Sequence, residues 1–392
     1  MDFVGEKIYK CGDSLSKIYK CGEVVWSANT EPVYSAMPFT LEIISGGTIV
    51  FSSYSDSGDS HCSVEYSIND GDWTEVQTSK AGASINVSAG DKVEIKGKTF
   101  VSNYNRNLLF RKSTALFSVK GNIMSLVSGT GFENLTILTE TRAFYNLFSG
   151  TTGLVDAGNL ILPAITLSEN CYGGMFLGCT ALTTAPVLPA TTLVTQCYYQ
   201  MFCNCTSLTT APVLPATTLA KGCYQQMFKG CTNLTTVPVL PATSLAESCY
   251  TAMFLGCTSL TGVPSNYLPA TALIKYCYYG MFNSCTSLTT APQLPATTLA
   301  DNCYGTMFNG CTSLTSAPEL SALTLAPSCY SSMFSGCTSL TYIKCLATDI
   351  SATFCISNWV NGVSSTGTFV KNPSMNDWTR GVSGIPDGWT IE

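Results

Sequence analysis

Twenty cysteines are the residues of this chain best equipped for chemistry, and most of them fall on a fixed spacing. One series runs Cys171, Cys197, Cys223, Cys249, Cys277, Cys303 and Cys329. A second lies eight residues behind each, at Cys179, Cys205, Cys231, Cys257, Cys285, Cys311 and Cys337. Thiols so arranged point to disulfides, a metal array or buried packing. Stacked copies about 5 Å apart bring Cα atoms within bridging range, so disulfides between neighbouring copies stay open, although an odd ladder cannot pair completely. A metal site needs several ligands converging on one point, and neither ladder carries His or acidic partners. The expected role is structural: cysteine is a small buried residue where closely packed copies leave no room for leucine. The Cys203-Asn204-Cys205 pair occurs in one copy only.

Other reactive groups are sparse. His61, the single histidine, sits in a polar turn region without a nucleophile beside it. Asp56, Asp59, Asp70 and Asp72 do not follow the spacing of a calcium loop and fit turn chemistry. Glu169, Glu247, Asp301 and Glu319 hold no fixed mutual spacing for general acid and base work. The expectation is a chain without enzymatic activity, cofactor or resident metal.

The cysteines must be positioned by a repeat. Seven copies of Cys-Tyr-x-x-Met-Phe-x-x-Cys-Thr occur, followed by Leu-Thr-Thr-Ala-Pro and Leu-Pro-Ala-Thr-Thr-Leu; five of the six intervals are 26 residues and one is 28. Such a period implies stacked units, each too small to bury its apolar face alone. Cys223, Met227 and Cys231, at i, i+4 and i+8, predict one stripe of a short α-helix, closed by Gly230 at positive φ. Leu234-Thr235-Thr236-Val237 predicts a short strand ending at Pro238. Leu240 and Leu245 add apolar contacts. The two-residue insertion at 263–268 falls where other copies have Val213, Gln293 or Glu319, so that position must face solvent.

The fold class expected is multidomain. Residues 1–30 form a tandem attachment segment in which Lys7-Ile8-Tyr9-Lys10-Cys11-Gly12 recurs at Lys17 to Gly22. Residues 31–125 form an all-β, sandwich-like module with strands near Thr40–Ile43, Cys62–Ile68 and Lys92–Ile95 and a turn at Asn69-Asp70-Gly71. Residues 126–340 form a solenoid of one short strand and one short helix per repeat, its degenerate first turn at Ala143 to Thr151. Residues 341–392, with Trp359, Trp378 and Trp389, cap it. Only 11% of residues are charged and the formal net charge is −6, which argues against a nucleic-acid partner. No apolar run is long enough to span a membrane. Met1 to Glu6 lacks the basic and apolar regions of a signal peptide, so synthesis in the cytoplasm is expected, with exit by lysis or in a particle, or from a form whose leader was trimmed.

What varies between copies is informative. The positions before the first cysteine and after the tyrosine change from copy to copy and share the face opposite the cysteine stripe. Tyr199, Gln200, Gln225, Gln226, Lys275, Tyr276, Tyr279, Asp301 and Asn302 therefore make up a candidate recognition face on a constant frame; free drift of solvent-facing positions is the alternative. The Thr209-Thr210, Thr235-Thr236 and Thr289-Thr290 pairs form a second ladder, able to bind glycan or ice, or simply to favour strands.

At its Met-Phe-x-Gly-Cys-Thr-Ser-Leu-Thr segments the chain resembles the BspA-type leucine-rich repeat family over residues 143–340, departing by its 26-residue period and by cysteine where an aliphatic residue is common. The β-module (Tyr66 to Trp73, Gly121 to Leu126) and the tail (Trp359 to Gly362, Ile385 to Trp389) resemble proteins of gut Bacteroides-group bacteria and their phages, and the Lys-Ile-Tyr-Lys-Cys-Gly unit resembles segments of phage tail and fibre proteins. The resemblance implies a non-enzymatic adhesion protein, foremost a virion component that binds a host-surface glycan or protein through the solenoid. Its N-terminal region would contact other virion proteins, and a homotrimer is the assembly expected of a fibre. An exported bacterial cell-surface adhesin, and a decorative virion protein without ligand, are the alternatives.

Overall fold

The computed structural model describes residues 34–53, 62–99 and 108–392, together with the backbone of residues 17–20 and 23–27. Regular structure is almost entirely strand. Among the described residues there is no α-helix, only short 3-10 turns, and the strands form several sheets with no closed barrel.

Alternating apolar and polar residues make the N-terminal strands. Two strands, β1 (Lys17–Lys20) and β2 (Glu23–Ser27), form an antiparallel hairpin, so the second Lys-Ile-Tyr-Lys unit pairs within the chain. The first unit, at residues 7–12, lies outside the described residues, as do Asp56, Asp59 and His61. Then follow β3 (Phe39–Ser45), β4 (Gly47–Phe51), β5 (Ser63–Ile68), β6 (Thr74–Gln77), β7 (Ala83–Val87), β8 (Lys92–Thr99), β9 (Leu116–Asn122) and β10 (Leu154–Ile161). One sheet has the order β10-β9-β3-β8-β5-β6, and β4 pairs with β7 in a second. The β5–β6 turn is formed by Asn69 and Asp70, at φ 53° and 59°, with the Gly71 N–H donating to the Ile68 carbonyl. Both central residues at positive φ give a hairpin turn that matches strand twist. The two sheets share a core, where Phe51 stacks on Tyr66 and Phe39 meets Phe110.

The larger sheet crosses the 125/126 boundary. β10 runs parallel to β9, and the Phe39, Phe110 and Phe148 rings lie within 5.4–6.1 Å of one another. One hydrophobic cluster runs from β3 to the C-terminal tail.

In the repeats the expected helix is absent. A different backbone takes its place, with two alternating sets of hydrogen bonds. The N–H groups of Cys197, Tyr199, Met201, Cys203 and Cys205 donate to carbonyls three residues back, at 3.0–3.3 Å. Those of Gln196, Tyr198, Gln200, Phe202 and Asn204 donate to Lys221, Cys223, Gln225, Met227 and Lys229 of the next copy, at 2.7–3.1 Å. Every fourth residue (Gln196, Gln200, Asn204) is left-handed, at φ 52–59°. This turn ribbon has a period of four. Its buried pairs Cys197-Tyr198 and Met201-Phe202, with Cys205, repeat without drift, whereas residues i, i+4 and i+8 on an α-helix advance about 40° each time. Local preference agrees, because Cys, Tyr, Thr and Gly are weak helix formers. The residue that ends each ribbon, Gly230 at φ 72° in one copy, is matched by Asn204 and Ser284 in others.

The expected strand shrinks as well. Between β10 and the tail, neighbouring copies meet in isolated parallel bridges such as Thr192 to Thr218, Gly262 to Thr290 and Ala272 to Thr298. Full strands return at the end, where β11 (Tyr342–Cys345), β12 (Thr368–Lys371) and β13 (Thr390–Ile391) form a parallel sheet. In the insertion Pro264, Ser265 and Asn266 are exposed, but Tyr267 turns inward against Phe282.

Two columns of rings run through the copies. Tyrosines from Tyr172 to Tyr330 stack with centroids 5.8–6.2 Å apart, and phenylalanines from Phe148 to Phe334 at 5.3–5.9 Å. Both columns end on Trp359, which lies 6.4 Å from Tyr330 and 6.3 Å from Phe334. Its indole N–H donates to the Gly384 carbonyl, so the buried ring is satisfied.

Candidate functional site

The period of four decides what is inside and outside. Within each ribbon the cysteine, tyrosine, methionine and phenylalanine are buried, whereas of the pair after the tyrosine Tyr199, Gln200, Gln225, Gln226 and Tyr279 are half-buried and Gly173, Gly174, Ala252, Gly280 and Gly305 are buried. The expected recognition residues lie on this turn ribbon and not on a helix.

They gather in two groups. In the first, Tyr199 is half-buried, and burial, then the neighbouring Tyr145, pushes its phenol above the ordinary tyrosine value. The Tyr145 ring lies against Gly173, where an added Cβ would come within 2.9 Å of it, and Arg142 sits 5.5 Å from the centroid of that ring. Gln200 donates through Nε2 to Gln226 Oε1 at 2.6 Å, tying adjacent copies, with the half-buried Gln225 beside them.

The second group lies further along. Lys275 is exposed, with Nζ 5.3 Å from the Tyr276 centroid, and Tyr276 meets Tyr279 edge to face at 5.6 Å. The Tyr279 ring covers Gly305, where a Cβ would approach to 3.0 Å. Asp301 accepts from the Tyr276 N–H through its carbonyl, which places Asp301 and Asn302 in the next turn. Between the groups lies the turn carrying Thr251. Arg142 and Tyr145 are members that sequence reasoning passed over, because their turn lacks the cysteines. Glycine at 173 and 305, each one copy after a tyrosine, was the signal for both shelves.

Chemically these groups offer ring faces, a cation beside each, and amides. All described cysteines are buried, and burial pushes Cys171, Cys223, Cys231 and Cys285 up to about 12, leaving them protonated at neutral pH. The second ladder is hydrogen-bonded: the thiols of Cys179, Cys205, Cys231, Cys257, Cys285, Cys311 and Cys337 donate at 3.0–3.2 Å to the Phe148, Phe176, Phe202, Phe228, Phe254, Phe282 and Phe308 carbonyls, one copy back. Among the described residues no group of three or more His, Cys, Asp or Glu is placed to hold a metal, and no helix is long and apolar enough to cross a membrane.

The threonine pairs are exposed on another side. The first hydroxyl of a pair is spent between copies, as where Thr235 donates to the Thr209 carbonyl at 3.3 Å and Thr289 to that of Thr261 at 3.0 Å. Beyond them Val187, Val213 and Val239 are 71–76% exposed in adjacent copies, which agrees with the solvent-facing position read from the insertion.

The chain matches no protein-family model, no curated protein and no solved structure.

Proposed function

We propose that this chain is a non-enzymatic recognition protein, a leucine-rich-repeat-type solenoid of the BspA-like kind following an all-β module. It is foremost a phage or prophage virion component that binds a glycan or protein on the host surface. The observation that carries the reading is the pair of outer aromatic groups, Arg142 and Tyr145 with Tyr199, and Lys275 with Tyr276 and Tyr279, each beside a glycine of the next copy. Half-exposed rings beside glycine shelves suit sugar faces or partner side chains. The frame beneath is stiff, because alternate N–H groups tie every turn to its successor, so a ligand meets a surface already in place.

The test is binding of labelled protein to a panel of gut bacterial strains, each with and without its capsular polysaccharide. Strain-selective binding that depends on the capsule supports glycan recognition. Strain-selective binding that survives its removal points to a protein receptor, and no binding to any strain overturns the reading.

A further inference from the structure

The last turn of the ribbon is incomplete. In every earlier turn, from Arg142 to Ser328, the N–H of the first left-handed residue donates to the next copy, and from Phe144 to Tyr330 so does the N–H two residues on. In the final turn these groups belong to Phe354 and Ile356, and among the described residues neither donates to a backbone carbonyl; the Ile356 N–H has only the Cys355 thiol beside it. The cause lies in the tail. Thr368 pairs with Thr390 only 22 residues later, against 26 between Tyr342 and Thr368, so the last segment is four residues short of a turn. It reaches Asn358 and Val360 through Ser383 Oγ and the Val382 carbonyl and stops there. A cleft of about 320 Å³ remains, lined by Ile350, Ala352, Phe354, Ile356, Ser357 and Ser383, with Cys355.

Phe354 is a second, independent observation. Its φ is 56°, a conformation that suits Gly or Asn; the matching positions hold Arg142, Asn170, Gln196, Gly222, Ser248, Tyr276, Asn302 and Ser328, of which only Tyr276 is also aromatic, and that ring packs on Tyr279. A phenylalanine there gains nothing by packing, because it is 70% exposed. Strain without burial, at the lip of a cleft, indicates a use outside folding.

We infer that this cleft binds one neutral pyranose unit, whose C–H face lies on the Phe354 ring and whose oxygens accept from the Phe354 and Ile356 N–H groups. The lining limits the occupant. No charged side chain faces the cleft, and the Asp349 carboxylate, close enough to act on Cys355, opposes an anion. Its volume lies at the small end of ligand pockets. Ser383 Oγ accepts from Asn358, which leaves its own proton for a sugar hydroxyl. An N-acetylated hexose fits best, since its amide carbonyl is the strongest acceptor on a neutral sugar. Phe354 holds the turn position that Tyr276 holds three copies earlier, so the cleft lies beyond the outer groups along the repeat.

The experiment is amide-detected NMR of the full chain, titrated with the methyl glycosides of N-acetylglucosamine and galactose, and with N-acetyl-alanine amide as the peptide control. The expected result is saturable movement of the Phe354 and Ile356 amide signals by a glycoside, with affinity at least tenfold lower in Phe354→Gly. That variant relieves the backbone, so its melting temperature stays equal or rises, and lost binding cannot be attributed to unfolding. Cell binding by the same variant separates this site from the outer face. The inference is overturned if no glycoside moves those amides, if Phe354→Gly binds as well as the parent, or if the peptide moves them more strongly than either sugar.

Discussion

The Cys205 thiol donates a hydrogen bond to the Phe176 carbonyl, 3.1 Å away in the preceding copy. That carbonyl already accepts the Cys179 N–H of its own turn, so the thiol occupies its second lone pair and adds a cross-link between copies. A small, buried side chain with a weak donor meets the demand. Leucine brings bulk without the donor, and alanine brings neither bulk nor donor.

Replacing Cys205 tests this account of the ladder. Cys205→Ala is expected to lower stability by about 1–2 kcal/mol through the lost contact and small cavity, and Cys205→Leu by about 1–3 kcal/mol through overpacking. Urea unfolding measures both, and a stabilised leucine variant contradicts the packing argument.

The same burial makes the thiols inert. Native protein treated with iodoacetamide at pH 7.5 is expected to leave Cys171 to Cys337 of both ladders unlabelled by mass spectrometry, while protein in guanidinium labels throughout. Ready labelling of the native ladders would mean that the copies open freely.

Alkali is expected to unfold the chain. A thiol titrates near 9.0 when exposed and is pushed up to about 12 in the fold at Cys171, Cys223 and Cys231. Below pH 9 the thiol is protonated in both states and its contribution is fully present. Between these values the unfolded chain releases a proton that the native chain keeps, so stability falls by about 1.4 kcal/mol per thiol per pH unit. With many thiols acting together, near-UV circular dichroism should collapse within about one pH unit above 9. An unchanged spectrum at pH 11 contradicts this.

The ring columns make opposite predictions at two positions. The Tyr198 hydroxyl is buried and has no hydrogen-bond partner among the described residues, so Tyr198→Phe is expected to be neutral or to stabilise by about 1 kcal/mol. Trp359 closes both columns, and Trp359→Ala is expected to cost about 3–5 kcal/mol. Thermal melts of the two variants should move in different directions or, at the least, by very different amounts.

Local signals in the sequence reached far in some places and stopped short in others. Alternation placed the strands around Leu41, Val64 and Val93, Asn69-Asp70 marked its turn, and the repeat period placed the cysteines inside. The helix expectation failed because i, i+4 and i+8 suit either a helical stripe over two turns or a ribbon of period four without drift. Part of the deciding signal was present: Gly222 and Gly230, eight residues apart, suit left-handed backbone at two steps of a four-residue period, as Asn204 does at the ribbon end of the copy before. The pairing of β10 with β9 was not legible, because register between distant strands is set by tertiary packing. The candidate outer face was read from variation between copies, but its two groups depend on which ring lies against which glycine, and that is fixed only once copies stack.

Recognition through the outer aromatic groups is tested most directly by replacing Tyr199, Tyr276 and Tyr279 together with alanine and comparing that protein with the parent on a strain the parent binds. Their side chains are half-exposed, so circular dichroism and melting should remain close to those of the parent. A fall in binding of at least tenfold with the fold intact is the predicted result; equal binding by a folded variant would contradict the account.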